Sequence, residues 1–139
     1  MDLIPPFETE NYTGRIPPQA IDVEEAVLGS VLLDESVMSR IIEILDETCF
    51  YKEAHRLIFQ VFKNLYSNHQ PIDLITVTEE LRRNGKLEHI GGSFFLTSLT
   101  QKLPSAANID TYAKIVYDKA RLRRLIQLGS HIVSMAFQE

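Results

Sequence analysis

Residues 19–33 read QAIDVEEAVLGSVLL, and this stretch sets the fold class. Its apolar residues recur at spacings of three and four, which is the period of an α-helix with a buried face. Pro17 and Pro18 come just before it and suit a helix start. The stretch therefore predicts a helix from Ala20 to Leu33. Its apolar positions are Val23, Val27, Leu28, Val31 and Leu32.

Two segments upstream of residue 70 show the same period. One runs from Glu35 to Leu45, with Asp34 as its N-cap. The other runs from Glu53 to Ser67 and ends before a polar turn at 68–71, which closes with a proline. We predict the second and third helices over these ranges. Their apolar faces are Val37, Ile41, Ile44 and Leu45, and Ala54, Ile58, Val61, Phe62 and Leu65.

The segment after Pro71 predicts a fourth helix with two alternative starts. Asp73 could cap a helix that begins at Leu74, or Thr76 could form a capping box with Glu79 three residues on. Either helix ends at Asn84-Gly85, because glycine readily takes the left-handed conformation that closes a helix. The β-branched run 72–78 also allows a strand, although the caps favour a helix.

A fifth helix is predicted to open at Gly91-Gly92-Ser93 and to stop at Pro104. Its apolar residues are Phe95, Leu96, Leu99 and Leu103. Because one glycine pair lacks the third glycine and the preceding strand of a dinucleotide site, we interpret it as a helix entry.

Residues 108–139 form a long segment without proline, with Asn108 as the predicted N-cap of a last helix. At about 100° per residue its apolar residues fall on two stripes on roughly opposite sides. The first stripe can pack on the preceding helices. The second half either protrudes, folds back on the head, or forms a separate helix after a break between Asp118 and Arg124. The first stripe is Ile109, Tyr112, Ala113, Val116 and Ala120, and the second is Leu122, Leu125, Ile126, Gly129, Ile132, Val133 and Ala136.

These patterns predict an all-α protein with a compact, orthogonal helical head of about five helices and a long last helix. The predicted ranges are a proline-rich arm at 1–18, extended or disordered, the head at 19–107 and the long helix at 108–139. The chain has 139 residues and 45% hydrophobic residues, which suits one ordinary domain. A nucleotide-hydrolysing motor of the usual size cannot share this length with another domain. With a single cysteine, Cys49, no disulfide can form within the chain.

Charge is distributed unevenly along the chain. Residues 20–108 hold thirteen acids and eight bases, whereas residues 109–139 hold three acids and five bases. An acidic body argues against a face that binds phosphate backbones. The basic residues between Lys114 and Arg124 are interpreted as a solvated helix face, with nucleic-acid contact as the alternative. This cluster is Lys114, Lys119, Arg121, Arg123 and Arg124.

The sequence shows no catalytic constellation. A phosphate loop, a zinc-binding histidine motif and a serine nucleophile elbow are all missing from it. His55 is interpreted as a structural, hydrogen-bonded histidine and Cys49 as a small buried residue. The pairs Glu24-Glu25 and Glu79-Glu80 point about 100° apart on a helix, so neither pair should converge on one substrate atom. We therefore expect an interaction module with no catalytic, metal or cofactor-binding residues.

Several stretches resemble the N-terminal domain of DnaB-type replicative helicases when taken together in order. They cover about residues 16–139, nearly the whole chain. Each is weak alone, but six in the right order are specific. The stretches are 17–34 (PPQAIDVEEAVLGSVLLD), Phe50-Tyr51 with His55-Arg56 and Ile58-Phe59, 71–76 (PIDLIT), Gly91-Gly92, 104–109 (PSAANI) and Tyr112-Ala113.

This resemblance implies the all-helical collar domain of a hexameric, ATP-dependent helicase that opens the bacterial replication fork. In such helicases the last helix is the first arm of a helical hairpin, the domains pair within the hexamer, and the primase C-terminal domain docks on the collar. A helicase loader is a further candidate partner. ATP and Mg would belong to a motor domain that this sequence does not contain. Because the hairpin needs a second helix, we expect the sequence to be a piece of a longer protein.

The resemblance and the second stripe suggest one interface. We expect self-association or primase docking to use Leu122, Leu125, Ile126, Ile132, Val133 and Ala136, with no direct DNA or membrane contact by the head. The expected location is the bacterial cytoplasm, with the plastid stroma as an alternative. Two other classes of function remain possible. One is a nucleic-acid-binding helical module that uses the basic cluster, and the other is a small free-standing enzyme, whose pocket the sequence does not indicate.

Overall fold

The computed structural model describes residues 15–102 and 108–138. Within these ranges the chain forms six α-helices and one short 3₁₀ helix, and it has no β-strand. The prediction of an all-α fold is confirmed. The helices are α1 (Ile21–Leu33), α2 (Val37–Ile41), α3 (Glu53–Ser67), α4 (Leu74–Arg83), α5 (Gly92–Gln101) and α6 (Ile109–Gln138), and the 3₁₀ helix is Glu47–Cys49.

Helix α1 lies at the centre of the head. Its residues 27–32 are all buried, so it has no broad solvent-facing side in that stretch. A helix that is buried all round must be covered by several neighbours. Helices α2, α3, α5 and α6 pack around it, with the most extensive contacts from α5 and α6. The core is therefore assembled around α1.

Helices α3 and α4 match their predicted ranges closely. Helix α3 begins and ends at the predicted residues, Glu53 and Ser67. Helix α4 uses the Asp73 start, with a capping box in which Asp73 accepts the Thr76 amide and the Thr76 hydroxyl accepts the Asp73 amide. It closes at Gly85, whose φ of 71° lies in the left-handed region. The strand alternative for residues 72–78 is wrong because this cap starts a helix inside the β-branched run.

The second helix is shorter than predicted. It spans only Val37–Ile41 and has Ser36 at its N-cap, so the prediction that Asp34 caps a helix from Glu35 to Leu45 is wrong. The Asp34 side chain instead accepts the amide and hydroxyl of Ser36, in the turn that follows α1. The Ile41 carbonyl accepts the amides of both Ile44 and Leu45, which tightens the chain into a turn.

The turn after α2 leads into the 3₁₀ helix, which was not predicted from the sequence. Asp46 caps it by accepting the Thr48 amide at 2.8 Å. Its own backbone is extended, and this ends the preceding turn. This stretch still contributes buried apolar side chains to the core, although the predicted helix is interrupted there. They are Leu45, Cys49 and Phe50.

Several predicted features lie wholly or partly outside the described residues. These are Leu103 and the stop at Pro104, and the greater part of the predicted arm at 1–18. Of that arm, residues 15–18 are described and are not helical, and Pro17 is buried.

Gly29 marks the closest approach of two helices, α1 and α5. A Cβ atom on Gly29 would lie 2.1 Å from the Leu99 carbonyl oxygen, which is backbone and cannot move aside. We predict that Gly29→Ala lowers the free energy of unfolding by about 1–3 kcal/mol through forced separation of the helices. Gly129→Ala on α6 is the matched control, because nothing lies within 4 Å of its Cβ position.

Urea denaturation of both variants measures this effect. The control should gain about 0.5–1 kcal/mol, since alanine favours a helix interior over glycine. Equal effects of the two substitutions would contradict the close crossing of α1 and α5.

Candidate interaction surface on the last helix

Helix α6 is one uninterrupted helix of 30 residues. At 1.5 Å per residue it is about 45 Å long. Of the alternatives left open by the sequence, a break between Asp118 and Arg124 is therefore absent. Its first half packs on the head as predicted, with Ile109, Ala113 and Val116 buried.

The second half of α6 carries apolar side chains that stay exposed. Leu125 is 59% exposed and Ile132 is 66% exposed. These values show that this half extends from the head and does not fold back on it. Among the predicted interface residues, Leu122, Leu125, Ile132, Val133 and Ala136 are exposed and Ile126 is half-buried.

Three further apolar residues share this side of the helix and were not among the interface residues predicted from the sequence. They are Leu128, Met135 and Phe137, all exposed. At about 100° per residue, they widen the apolar side to roughly 200° of the helix circumference. Contact with one partner helix needs a narrower stripe. We call these three, together with the six predicted interface residues, the α6 apolar face.

Arg123 stands at the point where α6 leaves the head. It continues the core-facing stripe of the first half and is only 8% exposed, so its assignment to a solvated face is wrong. Its guanidinium donates to the Pro18 carbonyl at 2.8 Å and to the Cys49 carbonyl at 2.9 Å. It also lies 5.3 Å from the centre of the Tyr51 ring. Burial lowers the pKa of Arg123, and the nearby Glu24 carboxylate opposes this shift.

A buried polar cluster lies beside this arginine. His55 Nδ1 lies 2.7 Å from Glu24 Oε1, and Glu24 Oε2 accepts the Tyr51 amide at 2.8 Å. His55 Nε2 lies 3.4 Å from Glu25 Oε2, which is within ion-pair range but is not a well-directed hydrogen bond. Lys102 pairs with Glu25 from outside, and this contact raises the pKa of Lys102.

The cluster gives Glu24, Glu25 and His55 a structural role. Glu24 and Glu25 do not meet at one atom, but they approach the two opposite nitrogens of a single ring. His55 is fully buried between them and stacks on Phe95, with 6.1 Å between the ring centres. The arrangement links α1 to α3 and to the end of α5, which is a structural role. The other pair, Glu79 and Glu80, forms surface ion pairs with Arg82 and Arg83.

A groove separates the 3₁₀ helix from α6. It encloses about 400 Å³ and is lined on the α6 side by Tyr117, Arg121, Arg123 and Arg124, and on the other by Asp46 and Thr48. We call it the arginine groove. Cys49 lies at its floor as a buried residue, and burial raises the pKa of its thiol. This thiol is therefore a poor nucleophile.

The described ranges hold neither a candidate metal site nor a candidate membrane span. Residues 15–102 and 108–138 contain no group of three or more histidine, cysteine, aspartate or glutamate side chains that could hold a metal ion. In the same ranges no helix combines the length and the apolar character needed to cross a membrane.

The chain resembles known proteins over most of its length. A family model described as the DnaB-like helicase N terminal domain matches residues 16–118. The replicative DNA helicase DnaB of Geobacillus stearothermophilus is 44% identical over 124 residues, which is 89% of this chain and 27% of that protein. The corresponding protein of Rhodothermus marinus is 42% identical over 89% of this chain and 13% of its own length. The chain thus spans less than a third of these relatives.

Solved structures agree with the sequence relatives. The crystal structure of the N-terminal domain of DnaB helicase from Mycobacterium tuberculosis superposes with a TM-score of 0.84 at 38% identity, over 88% of both chains. The N-terminal domain of DnaB helicase from Helicobacter pylori, described with its interactions with primase, gives a TM-score of 0.73 at 20% identity, over 84% of this chain and 90% of that one. At that identity the second likeness concerns the fold alone.

The buried contacts of Arg123 generate a stability prediction. Arg123→Met should lower the free energy of unfolding by about 3 kcal/mol, because it leaves two carbonyls without their donor and Glu24 without a nearby cation. Arg124→Met is the control, since its side chain is exposed one residue further on. It should change stability by less than about 0.5 kcal/mol. Urea denaturation compares the two, and equal stability would refute the anchoring role.

Asp46 generates a pH-dependent prediction. Partial burial acts to raise the pKa of this carboxyl, but hydrogen bonds from Thr48 outweigh it and hold the pKa below its ordinary value. A group with a lowered pKa stabilises the fold above the unfolded-state pKa and loses that effect as the pH falls through the folded-state pKa. Asp46→Ala should therefore cost about 1 kcal/mol near neutral pH, mostly through the lost cap.

The difference between Asp46→Ala and the unaltered chain should shrink below about pH 4. Asp46→Asn is the control, because asparagine keeps a capping oxygen but cannot titrate. Denaturation midpoints across this pH range measure the effect. A difference for Asp46→Ala that stays constant into acid would contradict it.

Proposed function

This chain belongs to the DnaB-like helicase N-terminal domain family, and we propose that it forms part of the collar of a hexameric, ATP-dependent replicative DNA helicase. In this role the domain performs no chemistry. It holds subunits together and presents a docking surface to primase. Opening of the replication fork, with ATP and Mg, belongs to the motor of the whole protein.

The observation that carries the proposal is the α6 apolar face. A helix that extends from its head with a broad apolar side in water is costly unless another surface covers it. An apolar side of roughly 200° can contact two helices at once. This suits the hairpin expected from the family resemblance, in which a following helix covers one part and a second subunit covers another.

Primase is the second proposed partner. The H. pylori relative is described with its interactions with primase, which supports the same role for this chain. We propose that the primase C-terminal domain contacts the collar through the α6 apolar face or the hairpin built on it. A helicase loader is a further proposed partner. The proposed location is the bacterial cytoplasm, with the plastid stroma as the alternative.

A nucleic-acid-binding module is the weaker candidate. The basic cluster would have to contact phosphates, but Arg123 is buried and engaged with two backbone carbonyls. Arg121 lies 4.0 Å from Asp118, so its charge is partly offset. Among the described residues, this leaves Lys114 and Arg124 as exposed members of the cluster with no ion pair to an acidic side chain. Because the salt dependence of binding grows with the number of phosphate contacts, so few contacts would give weak binding with only a shallow dependence on salt.

The test replaces two exposed members of the apolar face, Leu125→Asp with Ile132→Asp. We predict that association of the chain and its binding to the cognate primase C-terminal domain weaken by about a hundredfold or more, because central apolar anchors dominate such interfaces. The fold should survive, since both side chains are more than half exposed. Analytical ultracentrifugation and calorimetry give the two readouts.

The matched control is Ile75→Asp with Phe94→Asp. These side chains are 76% and 85% exposed on the head, so the control makes the same chemical change elsewhere. Unchanged association and primase binding in the α6 variant would refute the proposal. Loss of association and primase binding in the control alone would indicate that the interface lies on the head.

A further inference from the structure

The α6 apolar face contains one sulfur atom, that of Met135. This residue is 58% exposed, so water and small solutes reach its thioether. Leu128 lies seven residues before it, within about 20° on the helix surface, and the two residues form one edge of the face. Met135 is therefore both accessible in the free chain and part of the surface to which the proposed function assigns a partner.

The other sulfur atoms in the described part of the chain are protected. Within residues 15–102 and 108–138 they belong to Met38 and Cys49. Met38 is 0% exposed in the core of the head, and Cys49 is buried. Burial also raises the pKa of the Cys49 thiol, which keeps it in the protonated form that reacts poorly with oxidants. Met135 is therefore the sulfur atom in these ranges that an oxidant meets first.

We propose that Met135 is a site of reversible oxidation by peroxide and that its sulfoxide weakens the contacts of the α6 apolar face. In this step the thioether sulfur attacks one oxygen atom of hydrogen peroxide. A sulfur–oxygen bond forms, the oxygen–oxygen bond breaks, and the second oxygen leaves as water with both protons. The sulfur loses two electrons and the peroxide gains them. A methionine sulfoxide reductase, which takes two electrons from thiols, reverses the step and releases water.

The added oxygen atom matters only when a partner covers the side chain. A sulfoxide is polar and accepts hydrogen bonds, so it must give up water on burial. Leu128 and Ile132, which lie near Met135 on the face, have no side-chain donor to offer in exchange. In the free chain the oxygen stays in water and the fold is unaffected. The inference rests on the proposed function, because it requires that a partner cover the α6 apolar face.

The first measurement follows oxidation of the chain in hydrogen peroxide by peptide mass spectrometry. We expect Met135 to gain one oxygen atom at least about tenfold faster than Met38, because Met38 reacts only when the core opens. The two rates should become equal in urea that unfolds the chain, since both thioethers are then in water. Thermal melting tests that the chain oxidised at Met135 keeps its fold.

The second measurement compares association and primase binding before and after oxidation, with the peroxide removed before primase is added. Analytical ultracentrifugation and calorimetry should show both weakened by about tenfold or more, and methionine sulfoxide reductase should restore them.

The matched control is Met135→Leu, which keeps an apolar side chain of similar size but has no sulfur atom. It should associate and bind primase as the unaltered chain does, and peroxide should leave both unchanged, although Met1 and Met38 are still present. Met38→Leu should respond to peroxide like the unaltered chain.

Equal oxidation rates of Met135 and Met38 in the folded chain would overturn the proposal. So would weaker association of oxidised Met135→Leu, which would assign the effect to another residue. A third contrary result is that the oxidised chain associates and binds primase as before, while Leu125→Asp with Ile132→Asp weakens both. The face would then be an interface that does not include Met135. If that double variant also changes neither, the proposed function fails and this inference fails with it.

Discussion

The burial of charge beside α1 is the constraint on which the rest of the structure depends. Helix α1 is covered on most sides, and this places Glu24 and Glu25 inside the head. A buried carboxylate without partners would be too costly to keep, so the fold must bring donors and cations to it. They come from three other places: His55 on α3, Lys102 after α5 and, at longer range, Arg123 on α6. The same contacts that satisfy the charges also fix how these elements are arranged around α1.

Local signals in the sequence predicted the helices well. The boundaries of α3 follow from its apolar period and a polar turn, and the start of α4 follows from the Asp73 cap. Both signals act within a few residues, so a single sequence contains them. The second helix was predicted too long because aspartate is a common N-cap residue, so Asp34 was assigned as the cap of a helix. In the fold, the Asp34 side chain instead accepts a hydrogen bond from Ser36 in a turn. The choice between these uses of Asp34 depends on where Leu45 must lie in the core, which is a tertiary effect.

The polar cluster could not be predicted because its members are distant in sequence. Glu24 and His55 are 31 positions apart, and Arg123 and Cys49 are 74 apart. One signal was present all the same: Arg123 falls on the core-facing stripe of α6, seven residues after Val116. A charged residue in an apolar stripe indicates a buried partner. Of the candidate interface, the apolar positions were predictable from periodicity, but the width of the face was not, because Leu128, Met135 and Phe137 lie at its edges.

Arg123 matters to the apolar face for a geometric reason. A helix is stiff over this length, so the direction in which α6 leaves the head determines where its far end lies. The fifteen residues that follow Arg123, up to Gln138, extend about 22 Å, and a tilt of about 10° at the base would move the tip by roughly 4 Å. That displacement approaches one helical turn, which is enough to change which side chains meet a partner. A plain apolar contact at the base would allow several tilts of similar energy, whereas two directed hydrogen bonds to fixed carbonyls select one. The buried arginine thus fixes the direction in which α6 leaves the head. A surface that is to match a partner through individual side chains requires such a fixed direction.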